Sequence, residues 1–342
     1  MKPNRIALLA LCALMNAVHA AEESQPAVAS PIELYKGPKG IALEAPPYPF
    51  SERQQGGEGW VIVNMMIDPN GKPYEATVVE STGNPVFEKA ALAAVEKWRF
   101  EPATVNGTPI DAGGNYKLQF QLSGETGAKE PFVRAYKQLL AAVEAGDRER
   151  ADSRLALLKP HNLYEDAYAG LAYYGYYRKW GTAAQQLSAI RRAIAGEKHA
   201  RYLPKGAFTQ AQQTAMALEI ETGDYARALR TWAALRDNID PEQRTRMQKS
   251  VDQIEALRTG DKAFYLDAEI TMGSSWYYEL LKQRFQINVT SGKVAEIKLR
   301  CDQQYVFFRY DPALQYTIKG NSRGCWMEVV GDPGTKFQLV QL

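Results

Sequence analysis

Asn84-Pro85-Val86-Phe87-Glu88-Lys89-Ala90-Ala91-Leu92-Ala93-Ala94-Val95-Glu96-Lys97-Trp98 is the stretch that decides how residues 46–122 fold. Asn84 is suited to cap a helix, because its side chain accepts a hydrogen bond from an orphan amide. Pro85 follows at the first helical position, where its missing N–H costs nothing. Phe87, Ala90, Ala91, Ala94, Val95 and Trp98 recur at steps of three and four, which places them on one face. Glu88, Lys89, Glu96 and Lys97 fall outside that face. Pro102 is expected to stop the helix, and Asn106-Gly107 to turn the chain after it.

Upstream, Trp60–Asp68 reads as a strand with Val61, Val63, Met65 and Ile67 pointing one way. Asp68-Pro69-Asn70-Gly71 then turns the chain into a second strand, Tyr74–Glu80. Downstream, Tyr116, Leu118, Phe120 and Leu122 alternate with Lys117, Gln119 and Gln121, the pattern of a strand wet on one face. The order is strand, hairpin, strand, helix, strand. One helix on a small antiparallel sheet satisfies it.

These residues resemble the C-terminal domain of the TonB energy transducers. The likeness is carried by Pro47-Tyr48-Pro49, Glu58-Gly59-Trp60-Val61, Ile67-Asp68 with Gly71, Glu80-Ser81, and the helix with Lys97-Trp98-Arg99-Phe100, Pro102-Ala103 and Asn106-Gly107. It covers about eighty residues and is silent on the rest. The resemblance implies a β-β-α-β domain over 46–124 and binding by strand addition. In that mode an edge strand pairs with a short extended segment of an outer-membrane receptor, using main-chain groups. Here the edge maps onto Tyr116, Lys117, Leu118, Gln119, Phe120, Gln121 and Leu122. The alternative is an edge capped by this chain's own linker or helical region.

The full chain has 342 residues, 45% of them hydrophobic and 23% charged, which allows two or three domains. Met1–Ala20 is set apart: Lys2 and Arg5 precede an apolar run, Ile6–Met15, and Val18-His19-Ala20 offers small residues for cleavage. This reads as a secretory signal peptide cut after Ala20, its run of about ten residues being too short to span a membrane. With 41 basic and 39 acidic residues in all, loss of Lys2 and Arg5 would leave the two equal. A neutral chain with no dense Lys or Arg run has no general electrostatic reason to bind nucleic acid or anionic lipid. Residues 21–45 contain Pro, Ala and Ser without periodicity and read as a short linker. A transducer of this family has an uncleaved membrane helix and a long Pro-rich spacer; this sequence departs from that pattern.

Residues 130–260 read as all helical: Phe132–Ala145, Arg148–Leu158, Leu163–Arg178, Thr182–Ala195, Phe208–Thr222, Tyr225–Arg236 and Glu242–Arg258. Gly146-Asp147, Trp180-Gly181 and Gly223-Asp224 punctuate them at nearly the period of helix-turn-helix repeats. Gly223-Asp224-Tyr225, Ala228-Leu229, Trp232 and Leu235 resemble the second helix of a tetratricopeptide repeat. Tyr173, Tyr174, Tyr176, Tyr177 and Trp180 form an aromatic cluster that suggests a stacking platform. The spacing of Tyr173, Tyr177 and Trp180 favours repeat core instead.

Residues 261–342 switch to period two. Eight short strands are expected: Phe264–Ile270, Trp276–Leu281, Phe285–Val289, Val294–Arg300, Tyr305–Arg309, Tyr316–Ile318, Trp326–Val330 and Phe337–Val340, a small sandwich or barrel. Cys301 and Cys325 are the cysteines left after the leader, so a disulfide is expected. Closing a loop of about 25 residues would stabilise this region by roughly 3–4 kcal/mol in the chain-entropy model.

Catalytic signatures are absent from the sequence: it contains no Gly-x-Ser-x-Gly elbow, phosphate loop or His-Glu-x-x-His. His161 and His199 lack metal-ligand spacing and read as surface or turn residues. Gly56-Gly57-Glu58-Gly59 precedes a strand, not a helix, so it is a lead-in rather than a phosphate cradle. No metal or cofactor is implied. The expectation is a multidomain α+β protein that is exported to the periplasm, is not an enzyme, and serves as an adaptor or scaffold for envelope proteins. Two alternatives stand beside it, an energy-transducer component that keeps its leader as an anchor and a cell-wall or glycan-binding protein.

Intact-mass measurement on periplasmic material should show an N-terminus at Ala21 and no free thiol. A mature species still carrying Met1–Ala20 would exclude the cleaved leader.

Overall fold

Residues 34–122, 127–195, 202–271, 273–318 and 324–342 are described by the computed structural model. The expected leader with Cys12, the first part of the expected linker, and His199 lie outside them. The chain runs β1 (Tyr35–Lys36), β2 (Lys39–Ala42), α1 (Phe50–Gln55), β3 (Gly59–Ile67), β4 (Pro73–Ser81), α2 (Pro85–Val95), β5 (Arg99–Glu101), β6 (Ala103–Val105), β7 (Thr108–Ile110) and β8 (Ala112–Phe120). Seven helices follow: α3 (Glu130–Ala145), α4 (Arg148–Leu155), α5 (Leu163–Trp180), α6 (Ala183–Ala195), α7 (Lys205–Glu221), α8 (Tyr225–Leu235) and α9 (Pro241–Thr259). The chain closes with β9 (Phe264–Glu269), β10 (Ser275–Glu279), β11 (Arg284–Ser291), β12 (Val294–Arg300), β13 (Tyr305–Arg309), β14 (Tyr316–Thr317), β15 (Trp326–Gly331) and β16 (Lys336–Gln341).

The decisive helix is present and capped as expected, with the Asn84 side chain accepting from the Val86 amide at 2.9 Å and Pro85 at its first position. It ends earlier than expected. Glu96 is its C-cap, and Arg99–Glu101 forms β5 against β2, so Pro102 separates two strands rather than stopping a helix. Trp98 therefore lies beyond the helix, yet it stays in the core with Phe87, Ala91, Ala94 and Val95 because its indole N–H donates to the Glu44 carbonyl at 2.8 Å. The described part of the expected linker holds two strands: β1 pairs with β6 and β2 with β5.

The central sheet has the order β4-β3-β8, antiparallel throughout. Val61, Val63, Met65 and Ile67 of β3 meet α2, together with Leu118 and Phe120 of β8. Asp68 shapes the β3–β4 turn by accepting from the Asn70 and Lys72 amides at 2.9 and 2.8 Å. Gly71 cannot be replaced there. Its φ is 77°, and a Cβ would lie 1.9 Å from the Phe100 carbonyl oxygen, whose own residue donates its amide to Gly71 at 2.9 Å.

All seven expected helices form, and sequence neighbours pack on one another from α5 through α9. Gly146 and Gly223 take left-handed φ at the breaks, and Asp147 caps α4 through the Arg150 amide at 3.0 Å. Tyr173, Tyr176, Tyr177 and Trp180 are packed in the core of α3–α5, with the Tyr173 hydroxyl donating to Leu158 O at 2.8 Å. Tyr174 joins the neighbouring α6–α7 cluster. Of these aromatics Tyr176 is buried in the helix core and the others are half-buried against it.

The eight C-terminal strands form two four-stranded antiparallel sheets, β10-β15-β12-β13 and β14-β11-β16-β9. Ile297, Leu299, Met327 and Val329 of one face Phe285, Ile287, Phe337 and Leu339 of the other in a single core. A disulfide joins Cys301, just past β12, to Cys325, just before β15.

Because Trp98 is buried among ring and aliphatic contacts, Trp98→Ala should destabilise the protein by roughly 3–5 kcal/mol. Lys97→Ala, exposed one position away, should cost within about 0.5 kcal/mol. Equal urea midpoints for the two variants would contradict the packing described.

Candidate functional site

β8 is an edge strand of the central sheet, with β3 on one side. It starts and ends four and two residues earlier, respectively, than the expected Tyr116–Leu122. Gly113 and Gly114, weak strand formers, are in register with Met66 and Met65 of β3. Gln121 and Leu122 lie past the strand. The Leu122 amide donates instead to Glu58 Oε1 at 2.7 Å, a side chain 64 residues away, and Gln121 Nε2 donates to the Tyr202 hydroxyl at 3.2 Å. Tyr116, Leu118 and Phe120 turn toward the α2 side, while Asn115, Lys117 and Gln119 are exposed on the other.

β8 is wet on that face, as its alternation suggests, but its neighbour β3 is covered on both. Trp60 and Ile62, the alternate residues of β3, pack with Leu163, Ala167, Ala193, Tyr202 and Phe208 of the helical region. The signal was in the sequence: Trp60, Val61, Ile62, Val63, Met65, Met66 and Ile67 leave Asn64 as the one polar residue. A near-continuous apolar run is the mark of a strand covered on both faces. The polar groups of this seam are paired. Trp60 Nε1 donates to Asp166 at 3.3 Å, and Arg192 holds the same carboxylate at 2.6 Å. Glu58 reaches both ways, accepting from Leu122 and, at 3.2 Å, from the Leu163 amide at the start of α5.

Several residues that carry the resemblance have a structural duty. The Tyr48 ring meets Phe87 and Phe120 edge-on, and its hydroxyl donates to the Gly57 carbonyl. Pro49 precedes α1, which Gly56 ends at φ 69°, while Pro47 is exposed. A Cβ on Gly59 would strike the Phe87 ring at 2.7 Å. Trp98 and Phe100 are in the core, and Pro102 lies between β5 and β6.

A second seam joins the sheet to the C-terminal strands. β4 carries a bulge where its pairing with β3 skips from Thr77 to Tyr74, and Glu75 inside it has φ 49°. That left-handed backbone aims its carboxylate at Lys298 and Arg300, both at 3.1 Å. Arg300 in turn meets Glu328 at 2.7 Å, and the Gly113 amide of β8 donates to Cys301 O at 2.7 Å. The contacts of Glu75 and Gly113 were not legible in advance, since each lies more than 180 residues from its mate. Exposed His161 sits in the turn before α5, as read; its carbonyl accepts from the Glu58 amide at 2.8 Å. Among the described residues no cluster of three or more His, Cys, Asp or Glu is placed to hold a metal ion.

Residues 44–122 match the family described as Gram-negative bacterial TonB protein C-terminal. Those residues are therefore similar to a TonB C-terminal domain, and the match does not extend to the rest of the chain. The chain is similar to protein TonB of Vibrio cholerae serotype O1, 29% identical over 109 residues, which are 30% of this chain and 45% of that protein. It is also similar to protein tonB2 of Pseudomonas aeruginosa, 32% identical over 79 residues, 23% of this chain and 29% of that protein. The chain thus spans less than half the length of these curated relatives. A solution NMR structure of the Pseudomonas aeruginosa TonB CTD is 28% identical, covering 26% of this chain and 91% of that one, with a TM-score of 0.24. No helix among the described residues is long and apolar enough to cross a membrane.

Glu75 gives the second seam a pH dependence. Its burial pushes the carboxyl up, but Lys298 and Arg300 outweigh that and hold it below its ordinary 4.5. A carboxyl depressed in the folded state contributes stability that is present above the ordinary value and lost as pH falls through the folded one. Acid unfolding of Glu75→Gln should therefore lose part of its slope below about pH 4.5, and a curve parallel to the parent chain's would show that the contact carries no linkage.

Proposed function

We propose that this protein is a non-catalytic envelope adaptor that captures an extended segment of a partner by strand addition along β8. The observation that carries the reading is the position of β8 at the edge of the sheet in a region that matches the TonB C-terminal family. Edge strands bind through main-chain N–H and C=O groups, so affinity does not require a dedicated pocket. Asn115 and Gln119 are exposed on this strand. The neighbours limit how much of it serves: Cys301 holds Gly113 at one end, and Glu58 and Tyr202 hold Leu122 and Gln121 beyond the other. In between, the Lys117 side chain donates to the Ala195 carbonyl at 2.6 Å, which leaves the main chain of the strand as the docking edge. The docking length is thus the middle of β8, with Gln119 inside it.

In this reading residues 1–20 are a cleaved export signal, the site of action is the periplasm, and the partner is an envelope protein such as an outer-membrane receptor. The helical region 130–260, with its tetratricopeptide-like spacing, and the disulfide-closed region 261–342 are modules that frame the sheet. The names of the relatives favour a second reading, a component of TonB-type energy transduction held by a retained leader. Recovery from the inner-membrane fraction with residues 1–20 intact would support it over the adaptor.

Gln119→Pro removes a backbone donor and fixes φ, whereas Gln119→Thr keeps the amide and suits a strand. A photo-cross-linking side chain at exposed Lys117 should trap an outer-membrane protein in cells, and one at Lys89 on α2 should not. Capture should be lost with Gln119→Pro and kept with Gln119→Thr, both shown folded by circular dichroism. Undiminished capture by a folded proline variant would exclude this edge.

A further inference from the structure

We propose that a cavity where the sheet, α8 and the C-terminal strands meet binds a small ammonium or guanidinium group. The cavity is about 220 Å3 and is walled by Asn64 of β3, Asn115 of β8, Arg230 of α8, Glu279 at the end of β10, Arg300 and Trp326. It lies toward the start of β8, and nothing in its logic depends on strand addition farther along.

Two of its walls hold a buried acceptor without a donor among the described residues. Asn64 is 2% exposed; its amide N–H donates to Asn115 Oδ1 at 2.7 Å, leaving its own Oδ1 unpartnered. Glu279 is 4% exposed; Oε1 accepts from Arg230, and Oε2 has no partner. Buried polar atoms in folded proteins are as a rule hydrogen-bonded, so two open acceptors on one cavity call for a donor that completes both.

The cations on the wall are already committed, which argues against an anion. Arg230 donates to Glu279 and lies 5.9 Å over the Trp326 ring. Arg300 is divided between Glu75 and Glu328. The charged residues that line the cavity balance, Glu279 and Asp302 against Arg230 and Arg300. With both wall cations committed and one of the two open acceptors a carboxylate oxygen, a charged donor makes the stronger hydrogen bond and is favoured over a neutral one.

Size limits the occupant. The volume is several times the roughly 30 Å3 share of a water molecule and below the roughly 300–1,000 Å3 of pockets for drug-sized ligands. That suits one head group the size of a Lys or Arg side-chain tip. It could arrive on a free amine or on a basic residue of a partner segment, since both present the same chemistry.

The full chain should be titrated calorimetrically with ethylguanidinium and n-butylammonium, with N-ethylurea and n-butanol as neutral counterparts. At least one cation should bind saturably, and its neutral counterpart should bind at least tenfold more weakly. Asn64→Leu should weaken the cation at least tenfold while the melting temperature stays close to that of the parent chain. Glu279→Gln should do the same; if stranding Arg230 unfolds it, the double variant Arg230→Met/Glu279→Gln removes both charges and should also lose binding. A Gly-Arg-Gly peptide that binds more tightly than ethylguanidinium would place the group on a partner chain, and one that binds less tightly would place it on a free amine. No saturable binding of either cation, equal binding of a neutral counterpart, or full affinity in the folded variants would overturn the proposal.

Discussion

A strand with apolar side chains at nearly every position has to be covered twice, and β3 is covered by α2 from one side and by α5–α7 from the other. Each fully buried aliphatic or aromatic side chain contributes roughly 1.5–3 kcal/mol relative to exposure, so leaving Trp60 and Ile62 in water would forfeit much of what the strand gains. The helical region is therefore a structural partner of the sheet. Its own arrangement answers to that duty: Asp166 and Arg192, paired with each other, present a polar clasp to the Trp60 indole at the centre of an apolar seam. A buried carboxylate is tolerable there because it is both ion-paired and hydrogen-bonded.

The seam to the C-terminal strands works on a different principle. It is narrow and charged, built from Glu75, Lys298, Arg300 and Glu328, with a backbone hydrogen bond from Gly113 to Cys301 beside it. The bulge in β4 is what lets a strand residue leave the ladder and reach outward. Since the left-handed backbone of Glu75 is unfavourable for a side chain with a Cβ, its ion pairs offset local strain. Glu80 and Arg227, 2.6 Å apart, add a third fastening between β4 and α8.

Local signals carried much of this architecture. The Asn84-Pro85 start, the Asp68–Gly71 turn, the breaks at Gly146 and Gly223 and the period-two runs after residue 260 each act over a few residues, and each is where the sequence placed it. What local pattern could not settle was where an element ends when a distant group intervenes. Trp98 keeps helical spacing but lies past the helix, its indole N–H on the Glu44 carbonyl, and Leu122 lies past the strand with its amide on Glu58. At the candidate edge, alternation revealed the strand, while the two glycines that begin it carry no side-chain pattern to read. The short strands β1, β2 and β5–β7 escaped for the same reason, being two to four residues long.

The double coverage of β3 also has a consequence in time. Residues 59–120 complete the sheet, but the side chains that cover its second face come from residues 163–208, which leave the ribosome later. Until those helices emerge, Trp60 and Ile62 lie on an open sheet whose edge can also pair. That intermediate is the kind of surface on which chains associate wrongly. Any factor that shields the growing chain would have to hold this face for at least the interval needed to add α5 and α6.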